Sequence, residues 1–298
     1  MELQDHFPQP YKGFYLRASD KACIISNDNW QVALKTMKKD NLKNLELNPN
    51  YFKCDSNTDL SFLKEFLFIE RLSVLANRLN KSFQFEFFPN LKELFFAETN
   101  VPIQFDFFPH LKKCGFNWKT KGARTIFENP SIETLFVEKY DLLDFDFLGS
   151  LINLRELRIG FSRNLVSLKG IQTMKMLESV EIFHCQNLKD LNDLSGLTNL
   201  QLLSVENCKK INSVESIADL PNLKTLFYLE NGTLPTIDNL YTLTNLEQIN
   251  LFGTDILDGQ LHVLEYLHKN HRLKKINFRN KKCYSHTREQ FGFKVMST

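Results

Sequence analysis

LQLLSVENC (200–208) and LKTLFYLEN (223–231) lie 23 residues apart and share one pattern, apolar-x-x-apolar-x-apolar. Outward from this pair, the first apolar residue of the pattern recurs at Leu42, Ile69, Leu91, Leu111, Ile132, Leu154, Leu177, Leu200, Leu223, Leu246 and Leu273. Successive spacings are 27, 22, 20, 21, 22, 23, 23, 23, 23 and 27 residues. Self-similarity at such a period marks an array of stacked structural units. Apolar residues at alternate positions of the LxL segment put one face of a short strand against a core. No single repeat can bury that face alone, so neighbours stack and build one continuous core. The expected fold is an α/β solenoid. Its sheet is parallel and curved, with about eleven strands spaced about 4.8 Å apart and a length of about 48 Å. The segments behind the sheet are irregular or short-helical.

The same stretches carry a family resemblance. LKNLELNPN (42–50) and the two segments above, with LSGLTN (194–199) and IADLPN (217–222) before strands, resemble the leucine-rich repeat family. The 22- and 23-residue spacings are similar to those of bacterial internalins and related intracellular proteins. The resemblance covers roughly 42–281 and implies a horseshoe; for function it implies little, because repeat folds host many. It also implies an Asn at the ninth position of each repeat, whose amide satisfies backbone groups where the chain leaves the strand. Asn50, Asn77 and Asn231 match; Cys185, Cys208, Thr99, Thr254 and Ser162 are small polar substitutes. Lys119, Tyr140 and Lys281 are not, so the ladder is expected to break there.

Composition narrows the class. The chain has 298 residues, 43% of them hydrophobic, with 37 basic against 35 acidic side chains. That balance excludes a polyanion-coating protein, and the hydrophobic content is too high for a disordered chain. No apolar run approaches the ~18 residues of a membrane span. MELQDHFPQPY lacks the basic-then-apolar order of a signal peptide. The six cysteines, at 23, 54, 114, 185, 208 and 283, form no CxxC pair and read as reduced, structural thiols of a cytoplasmic protein. There are 27 Phe against 11 Gly. FQFEFFPNL (83–91), FDFFPHL (105–111) and FDFLGSL (145–151) place most of that excess just before strands, where the rings fill the interior behind the sheet.

A stacked array exposes its core at both ends and needs caps. Residues 1–41 fit an N-terminal cap: GFYLRA (13–18) and ACIIS (22–26) read as a hairpin around Ser19-Asp20-Lys21. A helix follows, capped by Asp28 or Asn29, with Trp30, Leu34 and Met37 on one face. Residues 42–281 form the repeats and 282–298 a C-terminal tail. A helical stretch, LHVLEYLHK (261–269), precedes the last strand, LKKINF (273–278).

Chemistry is sparse. Phosphate-binding, hydrolase and metalloprotease motifs are all missing. Asp144 and Asp146 read as turn residues rather than an acid–base pair. His262, Glu265, His268 and His271 have helical spacing, and the reading is a solvated helix face with no metal. Lys269, Arg272, Lys274, Lys275, Arg279, Lys281 and Lys282 form a basic run read as a solubilising end rather than a nucleic-acid site. Family members that are enzymes carry a separate catalytic domain, and the repeats leave no room for one. No enzyme and no cofactor are expected.

What remains is a binding face. Positions three, five and seven of each repeat point away from the core and line the expected concave side. Phe95, Phe136, Phe183, Phe227, Leu229 and Phe252 supply large apolar groups there. Glu138, Glu156, Glu181 and Glu206 crowd the middle rungs around Arg158. Grouped aromatics on a surface that the fold does not bury point to a protein partner. The acidic centre calls for a partly basic one. The reading is a non-catalytic binding module, monomeric when free, and in its most concrete form an immunity protein that masks a toxin. An adaptor or regulatory subunit recruiting an enzyme is the alternative, and nucleic-acid binding through the basic C-terminal repeat a third.

Overall fold

A computed structural model describes residues 6–51 and 57–292; Cys54 lies outside them. The chain divides into two compact units, Met1–Phe136 and Val137–Thr298.

In the first unit, β1 (Gln9–Tyr11), β2 (Phe14–Arg17) and β3 (Ala22–Ile24) form an antiparallel meander. The expected hairpin is its β2–β3 half. Helix α1 (Trp30–Lys39) follows, burying Ala33 and Met37, with Trp30 and Leu34 half-buried beside them. Asn29 sits at the N-cap position, yet its Oδ1 accepts the N–H of Ser26 at 2.8 Å rather than a helical amide. β3 then pairs parallel with β4 (Asn44–Leu47), so the cap's own sheet runs straight into the repeats. β5 (Arg71–Val74), β6 (Glu93–Phe96) and β7 (Lys113–Asn117) continue it in parallel register. The chain passes from the first unit to the second within β8 (Thr134–Glu138).

The second unit begins its ladder with β9 (Glu156–Gly160), β10 (Ser179–Phe183), β11 (Leu202–Glu206) and β12 (Thr225–Leu229). A short β13 (Gly232–Leu234) leaves this sheet to pair with β15 (Thr254–Ile256). Between them in sequence, β14 (Gln248–Asn250) rejoins the main ladder, and after helix α2 (His262–Asn270) it pairs with β16 (Lys275–Asn277). Eleven of these strands fall where the repeat register places them, at residues three to seven of each repeat.

The alternation explains their burial. The fourth repeat position, from Leu45 through Cys114 to Ile276, is 1% exposed or less in every repeat. Behind the strands the chain returns through short 3-10 turns, and the Phe-rich segments sit in these. Phe83, Phe85, Phe88, Phe105, Phe108 and Phe145 are fully buried, whereas Phe107 and Phe147 stay more than half exposed. In the FDF turns at 105–107 and 145–147 the first ring goes in and the second goes out. Each buried ring contributes about 1.5–3 kcal/mol relative to solvent exposure. Phe85 and Phe105 meet the strand residues Phe96 and Phe116 at centroid distances of 5.0 and 5.1 Å.

Two ladders of polar groups stitch successive repeats. The Asn just before the first leucine of a repeat, at Asn90, Asn199, Asn222 and Asn245, donates its amide to a carbonyl of the preceding repeat at 2.7–2.9 Å. The ninth-position ladder is less uniform than expected. Asn231 is 1% exposed; its Oδ1 accepts the N–H of Cys208 at 2.7 Å and its Nδ2 donates to the carbonyl of Val205 at 2.8 Å. Thr254 accepts the N–H of Asn231 and donates to the carbonyl of Tyr228 at 3.0 Å. Ser162, Cys185 and Cys208 instead donate to the carbonyl two residues back on their own strand. Asn50 and Asn77 are exposed. In that unit Asn48 and Asn117, two positions earlier, accept the N–H of Asn50 and Lys119 and are buried at 6% and 4%. Tyr140 departs from the ladder as expected, donating forward to the carbonyl of Asp144.

A third regularity concerns the eighth position. Lys139, Phe161, His184, Asn207, Glu230 and Gly253 occupy it in six successive repeats, and all have left-handed φ between 51° and 73°. The N–H of each non-glycine member donates to a carbonyl of the next repeat, as in Glu230 to Phe252 at 3.0 Å. The inter-repeat bonding therefore extends one residue beyond the strand while the chain turns away. A non-glycine residue there carries a steric cost of about 1–2 kcal/mol.

Candidate functional site

The side chains at repeat positions three, five and seven lie on the sheet face that the repeats do not bury, but the two units present it differently. In the first unit the hairpin turn roofs the opening rungs. The Arg17 guanidinium donates to both carboxylate oxygens of Asp20 at 2.9 Å and to Glu46 at 2.7 Å. Arg71 pairs with Asp20 at 3.3 Å and with Glu93 at 3.6 Å, and Asn48 donates to Glu46 at 2.8 Å. Glu46 is left 1% exposed. Burial alone would raise the Asp20 carboxyl, but Arg17 and Arg71 outweigh it and hold the group below its ordinary value.

Phe95 and Phe136 follow on this unit's face, both half-buried, on the rungs either side of Gly115. A β-carbon at Gly115 would come within 2.7 Å of the Phe95 ring and 3.3 Å of Phe136. The two rings lean into the space that the glycine leaves, and Arg71 lies 5.5 Å over Phe95.

The second unit holds the other nine expected residues. Glu156, Ser179 and Leu202 share one row across β9–β11, and Arg158, Glu181 and Ser204 the next. Gly160, Phe183, Glu206 and Leu229 make a third row, while Phe227 pairs with Ser204 and Asn250. Glu138, at the end of β8, is half-buried. Arg158 approaches Glu181 at 3.6 Å and lies 5.0 Å over the Phe183 ring. That ring rests on Gly160, where a β-carbon would be 2.0 Å from it. Glu156 and Glu206 are exposed, Phe183, Phe227 and Leu229 half-buried, and Phe252 is 41% exposed. Arg279 covers Phe252 at 5.3 Å.

A pattern runs through both units: Phe95, Phe183 and Phe252 each carry a guanidinium from an adjacent rung over the ring. Such cation–π contacts are worth about 0.5–1 kcal/mol at exposed sites.

Two neighbours in the second unit belong to the face but are not at the expected positions. Phe161 is 46% exposed, stacks on His184 at 4.8 Å with an interplanar angle of 7°, and meets Phe183 edge-on at 5.3 Å. The Asn207 amide then bonds His184 Nδ1 at 2.8 Å. Both aromatics occupy the left-handed eighth position, and two aromatic residues there in successive repeats were the available signal.

Elsewhere, Lys269 pairs with Glu265 at 2.5 Å and Lys281 with Asp255 at 2.6 Å, which neutralises part of the basic run. The described cysteines are all free thiols. Burial pushes Cys23 up to about 12 and Cys114 well above its ordinary value, which suits packing rather than nucleophilic chemistry. Among the described residues no helix is long and apolar enough to cross a membrane.

No protein-family model matches the sequence, and no curated protein matches it. Solved structures do. An internalin (inlF) from Listeria monocytogenes is similar with a TM-score of 0.58 and 16% identity, over 82% of this chain and 77% of that one. The chain has the leucine-rich repeat fold. An internalin C2 from the same organism is similar over 65% of this chain and 74% of that one, with a TM-score of 0.43 and 19% identity. The leucine-rich repeat domain of a type III effector (XopL) gives a TM-score of 0.45 and 18% identity over 56% of this chain and 62% of its own. These identities speak for the fold alone. For this leucine-rich repeat chain, function has to be argued from the exposed sheet face.

Proposed function

We propose that this chain is a non-catalytic, protein-binding leucine-rich repeat module that holds a basic, partly apolar protein partner against the exposed sheet face of its second unit. The observation that carries the reading is the set of large apolar side chains there, Phe183, Phe227, Leu229 and Phe252, on the face that the core leaves open. Exposed Glu156 and Glu206 flank them, so the face offers apolar anchors inside an acidic surround. Anchors of that kind carry most of the energy of a protein interface, while the surrounding charge speeds encounter. Free thiols suit a reducing compartment, and the chain acts there as a monomer that masks its partner, in the manner of an immunity protein with a toxin.

The test is affinity capture from a lysate of the source cell with wild type and the Phe227→Ala/Phe252→Ala variant. One stoichiometric protein captured by the wild type alone supports the reading; toxicity of that protein when expressed alone separates masking from recruitment. Equal capture by both proteins refutes the assignment of the face.

A further inference from the structure

We propose a zinc-type metal site formed by His262, Glu265 and His286, which clamps the C-terminal segment onto helix α2. Nothing in the protein-binding reading requires this site. Their ligand atoms all lie within 4.8 Å of one another, a distance at which three side chains can share one ion. His262 and Glu265 stand one turn apart at the start of α2. His286 comes from the segment that follows the last strand, and that segment holds it firmly. Tyr284 accepts the N–H of Ile256 through its hydroxyl at 2.9 Å, the N–H of Ser285 donates to the carbonyl of Gly259 at 2.8 Å, and Ser285 Oγ accepts the N–H of Leu261 at 2.8 Å. Phe291, 6% exposed, packs against Phe278 and His286 behind it.

The donor geometry suits a small tetrahedral ion. Bonds of about 2.0–2.1 Å put neighbouring ligands about 3.4 Å apart. His286 Nε2 lies 3.2 Å from Glu265 Oε2, and His262 Nδ1 lies 4.0 Å from the same oxygen. His262 is 57% exposed and meets the His286 ring edge-on at 4.9 Å, so closing the last gap takes a side-chain rotation at an open position. Both imidazoles face Oε2, while Lys269 holds Oε1 at 2.5 Å and fixes the carboxylate plane.

The outer contacts agree. His286 Nδ1 meets Ser285 Oγ at 2.9 Å, the kind of outer contact that orients a ligating imidazole with Nε2 toward the ion. Two imidazole nitrogens and one carboxylate oxygen select the zinc class over magnesium or calcium and leave a fourth position for water. Neutral imidazoles are the ligands, so binding releases to solvent any proton shared by His286 and Glu265. His268 and His271 take no part. His268 Nδ1 is bound to the carbonyl of Leu273 at 2.8 Å, and His271 packs on Tyr266.

The experiment titrates the full, chelator-stripped chain with zinc by calorimetry and with cobalt by visible absorption, and records the thermal midpoint with and without zinc. We expect one ion per chain, a tetrahedral cobalt spectrum and a raised midpoint. His262→Ala, at an exposed position that leaves the fold intact, weakens binding tenfold or more; His110→Ala, in the other unit, leaves it unchanged. Failure of zinc to bind saturably or to move the midpoint, or equal binding by His262→Ala, overturns the site and assigns His286–Glu265 to a simple ion pair.

Discussion

Asn231→Ala tests the reasoning behind the ninth-position ladder. The side chain is 1% exposed, and it satisfies the N–H of Cys208 at 2.7 Å and a lone pair of the Val205 carbonyl at 2.8 Å. Alanine removes both bonds, and the site is too buried for bulk water to replace them. Each buried group left without a partner costs about 1–3 kcal/mol, so the pair should cost about 4 kcal/mol. Cys208→Ala, one rung earlier, provides the comparison. Its thiol donates to the carbonyl of Glu206 at 3.3 Å and contacts the Cys185 thiol, both weak bonds, and its loss should cost about 1 kcal/mol beyond the small volume change. The assay is urea unfolding followed by circular dichroism at constant slope, with amide exchange of Cys208 as the local probe. Asn231→Ala should lower the midpoint far more than Cys208→Ala and speed exchange at Cys208. Equal midpoints for the two variants, or a loss below 1 kcal/mol at Asn231, would refute the claim that this amide ties the repeats together.

Three further outcomes follow from features of the face and its ends. Gly160→Ala forces the Phe183 ring off its seat and away from Arg158; we expect a stability loss of about 1 kcal/mol by urea unfolding, the scale of a lost cation–π contact, and clear loss of partner capture. Gly253→Ala places a side chain at a left-handed φ of 73° and within 2.2 Å of the Glu230 carboxylate, and should cost about 1–2 kcal/mol, whereas Glu230→Gly should gain up to about 1 kcal/mol, both read by thermal unfolding. Asp20 is held below its ordinary value in the folded chain, so its contribution is fully present above the unfolded carboxyl pKa and fades as pH falls from about 4 through the lower folded value; Asp20→Asn should cost about 2 kcal/mol at pH 7 and flatten that acid limb in a pH series of unfolding midpoints.

Much of this architecture was legible because its period is short and strict. LxL alternation fixes which side chains of a strand are buried, and the eleven repeat strands follow from it directly. The Phe-rich turns were legible in part: most of their rings enter the interior, but the outward course of Phe107 and Phe147 left no mark in the sequence. Contacts that join distant, irregular segments were not. Nothing in the repeat says that Arg17 and Asp20 fold over Glu46, because the direction of a hairpin turn is set by packing at the cap rather than by periodicity. His286 could not be joined to His262 for a similar reason: 24 residues with a strand and several turns separate them. The eighth position escaped because a left-handed backbone leaves little trace when Lys, Phe, His, Asn, Glu and Gly all occupy it. Position alone also overstated how open the face is, since the guanidinium roofs over Phe95, Phe183 and Phe252 depend on side-chain direction.

The unequal polar ladder has a mechanical consequence. From Cys208 through Asn231 to Thr254, its bonds cross from repeat to repeat and tie each to the next. At Ser162 and Cys185 the corresponding hydroxyl and thiol bond to a carbonyl of their own strand and reach the neighbouring repeat through weak thiol contacts. Between those rungs the polar ties lie at the surface, as in Asn187 to the carbonyl of Arg163 at 2.7 Å and Asn207 to His184 at 2.8 Å, whereas the later rungs are tied from within by buried groups. Glu156, Arg158, Glu181 and Phe183 sit on the rungs tied at the surface, Phe227 and Phe252 on those tied from within. A docking protein would meet aromatic anchors seated on internally tied rungs, beside a charged region whose own ties lie within its reach.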